Sequence, residues 1–282
     1  MAYIPAPSEQ DDSAGSGAGF RTSLGPGLFV LVLLTFALAF VLAPWSFEEK
    51  AHALLHGVCG QTESHTLAFD DMLLPLDTRC VGIFGGMFCT MLLLIGAGRH
   101  RAAGLPSIGA GVLLIAFLGA MALDGINSLM TDLGKPRLYV PTNDLRLLTG
   151  WLTGIGLGSI LIMVTGMTFW RRPRTQMRVL PSWWWPLALA VPCLPIWLLL
   201  QTDAGAVFYS ISVALIASAL VAFGALAACA IVMLRNRDNT YERWDQLAPL
   251  ATAGFAIALV ILLALAGGRF WIESTLGLPT PS

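Results

Sequence analysis

Apolar residues fill most of this chain in long blocks, and short polar stretches punctuate them. Blocks at 27–45, 80–97, 107–129, 145–170, 183–201, 206–234 and 247–270 each carry few charges. Segments of about 20 such residues cross a hydrocarbon core of roughly 30 Å as helices, because a helix satisfies its own backbone hydrogen bonds where lipid cannot. The pattern predicts an all-α, polytopic membrane bundle of about seven transmembrane helices. Small residues recur at helical spacing inside it. Gly82, Gly85 and Gly86 open the second span, and Gly150, Gly154 and Gly158 run along the fourth, the kind of stripe against which a neighbouring helix packs closely. The fifth span starts with Trp183, Trp184 and Trp185, a composition suited to the interface, and Pro192 and Pro195 are expected to kink it.

The pattern also divides the chain. Residues 1–26 form a Ser/Gly/Ala/Asp-rich tail that reads as flexible. The first 20 residues hold three acids and no Lys or Arg, which is unlike the basic start of a secretory signal. Residues 27–170 read as a four-helix membrane core with a polar loop at 46–79, and residues 171–282 as a three-helix membrane extension. The polar loop opens with a short amphipathic helix over 47–58.

Composition adds little to the fold but narrows the partners. With 56% hydrophobic residues, 12% charged residues and a net charge of −1, the chain is suited to lipid and to other membrane protein subunits, with no nucleic-acid partner. Seven crossings place Arg21, Arg99, Arg101, Arg171, Arg172, Arg174, Arg178, Arg235, Arg237 and Arg243 on one side. Only Lys50, Arg79, Lys135, Arg137, Arg146 and Arg269 fall on the other. The excess of basic residues on the first side predicts a cytoplasmic N-terminus in a bacterial-type inner membrane, with the 46–79 loop facing outward.

That loop and the start of the next span hold the candidate chemistry. His56 and Cys59 are three residues apart, as are Asp77 and Cys80, and 17 residues separate the two pairs. Two close ligands, a loop and two more is an arrangement that can close a tetrahedral zinc site, and all four side chains are acceptable zinc ligands. His52 or His65 could substitute for a member. Two other readings stay open at this point. In an oxidising compartment Cys59 and Cys80 could form a disulfide, closing a loop of about 20 residues at a gain of roughly 3 kcal/mol. They could also be free thiols. Cys89, Cys193 and Cys229 fall within spans and read as small apolar core residues.

A second candidate is Asp124, an acid at membrane depth in the third span. The register sets it level with Arg146 at the start of the fourth span, so the expected partner is Arg146. Asn127 and Asn143 lie nearby as supporting polar groups. The pair reads first as polar glue that clamps the bundle, with a proton or ion pathway as the alternative.

Four segments in register carry a resemblance: Cys59-Gly60-Gln61, the run 74–84 with Asp77-Thr78-Arg79-Cys80, Asp124-Gly125, and the run 143–150 with Asn143, Arg146, Thr149 and Gly150. Over roughly residues 50–165 the chain resembles a family of predicted membrane proteins known only as a domain of unknown function, number 2085. The resemblance implies a multi-pass membrane protein with a metal or redox cluster built from cysteines and a histidine. Gly60 stands where the family shows His, His65 stands in an Arg position, and Asp77 replaces the first Cys of a Cys-x-x-Cys. The implied ligands here are therefore Cys59, Cys80 and Asp77, with His56 or His65 as replacements. The family implies no established activity. Without a catalytic signature, the expected function is a non-catalytic accessory or scaffolding subunit of a larger membrane complex, for which a respiratory or photosynthetic host is compatible. The alternative is a membrane redox or metal-handling enzyme that uses the outer cluster beside a quinone-depth pocket near Asp124 and Arg146.

Overall fold

The computed structural model describes residues 16–202 and 204–277, with side chains described from residue 25 onward. It is all-α: among these residues, six helices are long and apolar enough to cross a membrane. In chain order the helices are α1 (Ser16–Leu42), α2 (Phe47–Leu55), α3 (Thr78–Gly96), α4 (Ile108–Asp132), α5 (Asn143–Phe169), α6 (Trp184–Ala190), α7 (Cys193–Leu200), α8 (Gly205–Leu234) and α9 (Ala248–Leu276). The first 15 residues of the expected tail lie outside the described residues, and from Ser16 the backbone is already helical.

The fifth expected span is a broken one. Pro192 has no N–H to donate and its ring crowds the carbonyl four residues back, so the helix stops at Ala190 and restarts at Cys193. The two pieces still run the length of the bundle. Trp183 lies against Gly109 at the start of α4, and the Trp197 indole donates to Asp144 at the start of α5, 2.8 Å away. At the break, the carbonyl of Leu189 accepts from the indole of Trp151, at 3.3 Å. Among the described residues, six continuous helices long and apolar enough to cross a membrane and one proline-broken apolar pair thus take the place of seven uniform spans.

The centre of the bundle is the pair α3 and α5, which run in the same direction. Moving along the chain, Gly150 faces the carbonyl of Arg79, Gly154 that of Ile83 and Gly158 that of Met87. From the other side Gly82 meets Leu147 and Gly86 meets Trp151. A Cβ on any of these glycines would sit well inside contact distance of a backbone oxygen, so only glycine permits the approach. Helix α8 closes one flank, with the Ser218 hydroxyl donating to the carbonyl of Phe84 at 2.7 Å. The residues after 170 share a core with those before it: Leu55, Val81, Leu147, Leu215 and Phe255 belong to one buried cluster. Helix α1 leans on α9 through an edge-to-face pair, Phe36 and Phe255, with centroids 5.6 Å apart.

The two ends differ in character. One gathers arginines around a short parallel pairing of β3 (Ala102–Gly104) with β4 (Arg174–Arg178), where Arg99 lies over Trp185 and Arg101 over Trp170. The other is capped by α2 and the loop 56–77. The Ser46 hydroxyl accepts from the Glu49 N–H while the Glu49 carboxylate accepts from the Ser46 N–H, which fixes where α2 begins. Further on, β1 (Ala68–Phe69) and β2 (Met72–Leu73) form a hairpin. Its turn holds Asp70 and Asp71 at φ 49° and 65°, a conformation that Asp tolerates better than most residues.

Candidate functional site at the capped end

Cys59 closes the loop after α2, and Cys80 lies in the first turn of α3. The fold brings their sulfurs to 3.0 Å. The Asp77 N–H also donates to the Cys59 sulfur, at 3.3 Å. The hydrogen bond shared with Cys80 holds the Cys59 thiol below its ordinary range, against the opposing pushes of burial and of the Asp77 charge.

The rest of the expected zinc set does not join the two sulfurs. The Asp77 carboxylate accepts from the N–H of Thr62 at 2.7 Å and from the Thr66 hydroxyl at 3.2 Å, so it fastens the loop instead. His56 is 1% exposed and has other partners. Its Nδ1 lies 2.7 Å from the Gln61 side-chain oxygen and its Nε2 lies 2.7 Å from Glu273. Among the described residues, no three His, Cys, Asp or Glu side chains converge as a metal would require. The physical reason is that the chain uses His56 to tie the cap to α9, a contact 217 positions away that local spacing cannot reveal.

That tie is a network. The Gln61 amide nitrogen donates to the carbonyls of His52 and Pro75, at 3.0 and 2.9 Å, which leaves its oxygen to accept from His56 Nδ1. Glu273 receives Arg269 Nε at 2.6 Å, one helical turn away. The same guanidinium donates to the carbonyls of His56, Cys59 and Gly60. The imidazole stacks on Phe270 with ring centroids 4.1 Å apart. His65 instead faces Asp132, at 3.5 Å, and His52 Nε2 lies 2.9 Å from the Leu73 carbonyl.

Asp124 sits deeper and is 1% exposed, but its partner is Arg79 rather than the expected Arg146. Arg79 Nη2 lies 2.5 Å from the Asp124 carboxylate and 3.1 Å from the Ser128 hydroxyl. The Tyr139 hydroxyl donates to the other carboxylate oxygen at 2.9 Å, and Thr149 donates at 3.4 Å. The register explains the exchange. Because Gly150 meets the backbone of Arg79, Arg146 lies a turn further out than Arg79, and its guanidinium donates to Asn143 at 3.0 Å. Asn127 does not join the pair. It holds the loop after α4, accepting from the Leu138 N–H at 2.7 Å and donating to the Tyr139 carbonyl at 3.0 Å.

Sequence reasoning missed Arg79 as a partner, and Glu273 and Arg269 as members of the site. Two signals were present. Arg79 directly precedes a span, and Arg269 and Glu273 stand at i, i+4 on a helix that runs six residues beyond the expected end at 270.

All four motif segments therefore meet at the capped end, around the outer turns of α3, α4 and α5. Residues 59–160 match the family described as Predicted membrane protein (DUF2085), the family those motifs resemble. No curated protein and no solved structure matches the chain.

Proposed function

We propose, for a chain whose centre carries this family's segment, that it serves as a non-catalytic accessory or scaffolding subunit of a larger integral-membrane complex. The observation that carries this reading is the open surface of α4. Only 11% of its spanning window is buried within the chain, against 61% for α5. Along the open face lie Ala116, Gly119 and Ala122, and a Cβ placed on Gly119 would meet nothing within 4 Å. An apolar helix face with small residues at its middle suits close approach by a helix of another subunit. The charges at the capped end are consistent with the same reading, because their hydrogen bonds run between elements of this chain.

By the distribution of basic residues, the arginine-rich end and the N-terminus face the cytoplasm of a bacterial-type inner membrane, and the cap faces outward. Extraction from native membrane in mild detergent should yield the chain together with other integral subunits. Gly119→Trp should release them while the chain keeps its own unfolding midpoint. A wild-type chain that migrates alone, at full stability, would overturn the proposal.

The thiol pair favours a second reading, membrane redox chemistry at Cys59 and Cys80. Turnover by the purified protein, with many equivalents of an added quinone reduced per chain by a dithiol donor and the turnover lost in Cys80→Ser, would move the balance to it; one equivalent per chain would not.

A further inference from the structure

We propose that Cys59 and Cys80 are a preorganised dithiol that closes to a disulfide and staples the cap to α3, with Arg269 as the residue that positions Cys59 for closure. Closure does not depend on the subunit reading, since it needs only this chain and an oxidant.

Three observations converge on it. The sulfurs are 3.0 Å apart, closer than two unbonded sulfurs rest comfortably, and they need only a small approach to bond. Both belong to fixed backbone. Cys80 is in the first turn of α3, which the glycine contacts lock against α5. Cys59 has no helix of its own, yet Arg269 on α9 grips the carbonyls of His56, Cys59 and Gly60 around it. Finally, no third ligand accompanies the sulfurs among the described residues, because His56 and the Asp77 carboxylate are engaged elsewhere.

The chemistry balances with a disulfide of a dithiol oxidase, or oxidised glutathione, as the oxidant. One thiolate of the pair attacks a sulfur of the oxidant, forms a mixed disulfide and expels a thiolate that takes up a proton. The second thiolate then attacks the first cysteine's sulfur, forms the Cys59–Cys80 bond and expels the other half of the oxidant. The chain loses two protons and two electrons, and the oxidant takes up both to become two thiols. Because both sulfurs start in place, the second step is intramolecular at high effective concentration, which favours the closed form.

The purified full chain, equilibrated in mixtures of reduced and oxidised glutathione and then acid-quenched and alkylated, tests this by peptide mass. The expected product is one intramolecular crosslink between the peptides bearing residues 59 and 80, half-formed in a buffer more reducing than the cytosolic glutathione pool. Arg269→Gln should keep the crosslink but lower its equilibrium constant about tenfold, a shift of about 30 mV for a two-electron couple. Cys229→Ser, remote from the cap, should leave it unchanged. Full alkylation of both thiols under oxidising glutathione would overturn the proposal. So would separate glutathione adducts on each thiol, or a metal released stoichiometrically on alkylation. None of these results bears on whether the chain copurifies with other subunits, so the two proposals fail separately.

Discussion

At the scale of single residues, the capped end shows how a buried charge chooses its partner. Asp124 and Arg146 are level if the helices are drawn as adjacent rods, yet the ion pair goes to Arg79 because α3 and α5 touch through glycine and bring Arg79 inward. Removing one member of a largely buried pair leaves the other uncompensated, which typically costs a few kcal/mol. Arg79→Gln should therefore lower unfolding stability in detergent by about 3 kcal/mol, while Arg146→Gln, whose guanidinium donates to a neutral amide, should cost about 1 kcal/mol. A double-mutant cycle of Arg79→Gln with Asp124→Asn should show strong coupling, and the same cycle with Arg146→Gln should show little. At the other end, burial, together with Arg101 and Arg174, pushes His100 below the ordinary imidazole range. As pH falls, the unfolded chain then takes up its proton first, near pH 6.5. The stability contributed by neutral His100 is intact above about that pH and is lost progressively towards the folded value below it. His100→Asn should flatten that part of the stability profile, as followed by tryptophan emission from the Trp170 and Trp244 rings packed on His100.

Among elements, glycine placement separates helices that must touch from helices that only lie near. Gly154 packs against the Ile83 carbonyl, so Gly154→Ala has to move backbone and should cost about 2 kcal/mol or more. A methyl group added at Gly111 on α4 would meet nothing within 4 Å, so Gly111→Ala should be neutral or stabilise by up to about 1 kcal/mol. Thermal unfolding of the two variants side by side checks the contrast. The spacing of Gly150, Gly154 and Gly158 marked a packing stripe in the sequence. It could not show which backbone the stripe meets, because that depends on a neighbour far along the chain. The proline-broken crossing was legible in the same partial way: Pro192 announced a disturbance, and the structure turns the kink into a stop and a restart.

At the scale of the whole molecule, the spans and the family segment were readable because each rests on local information, namely hydropathy over about 20 residues and short motifs in order. The site was readable only in part. Cys59 and Cys80 meet as a pair, while His56 belongs to a contact with Glu273 on the last helix, and no pattern near residue 56 could point there. The common orientation of α3 and α5 carries a further consequence. Two neighbours pointing the same way oblige the polypeptide to travel back across the bilayer between them, and α4 is that return stroke. For the folding of this chain alone, its outer surface can accept one greasy side chain for another, but its phase cannot change. Inserting a single alanine after Phe117 would swing Asp124 about 100° around the helix axis and away from Arg79. That insertion should cost as much as deleting the carboxylate itself, and an alanine inserted before Ser107, outside the helix, should cost little; chemical-denaturant midpoints of the two insertions measure the difference. The return stroke behaves as a spacer whose angular setting, more than its composition, is what the fold has to preserve.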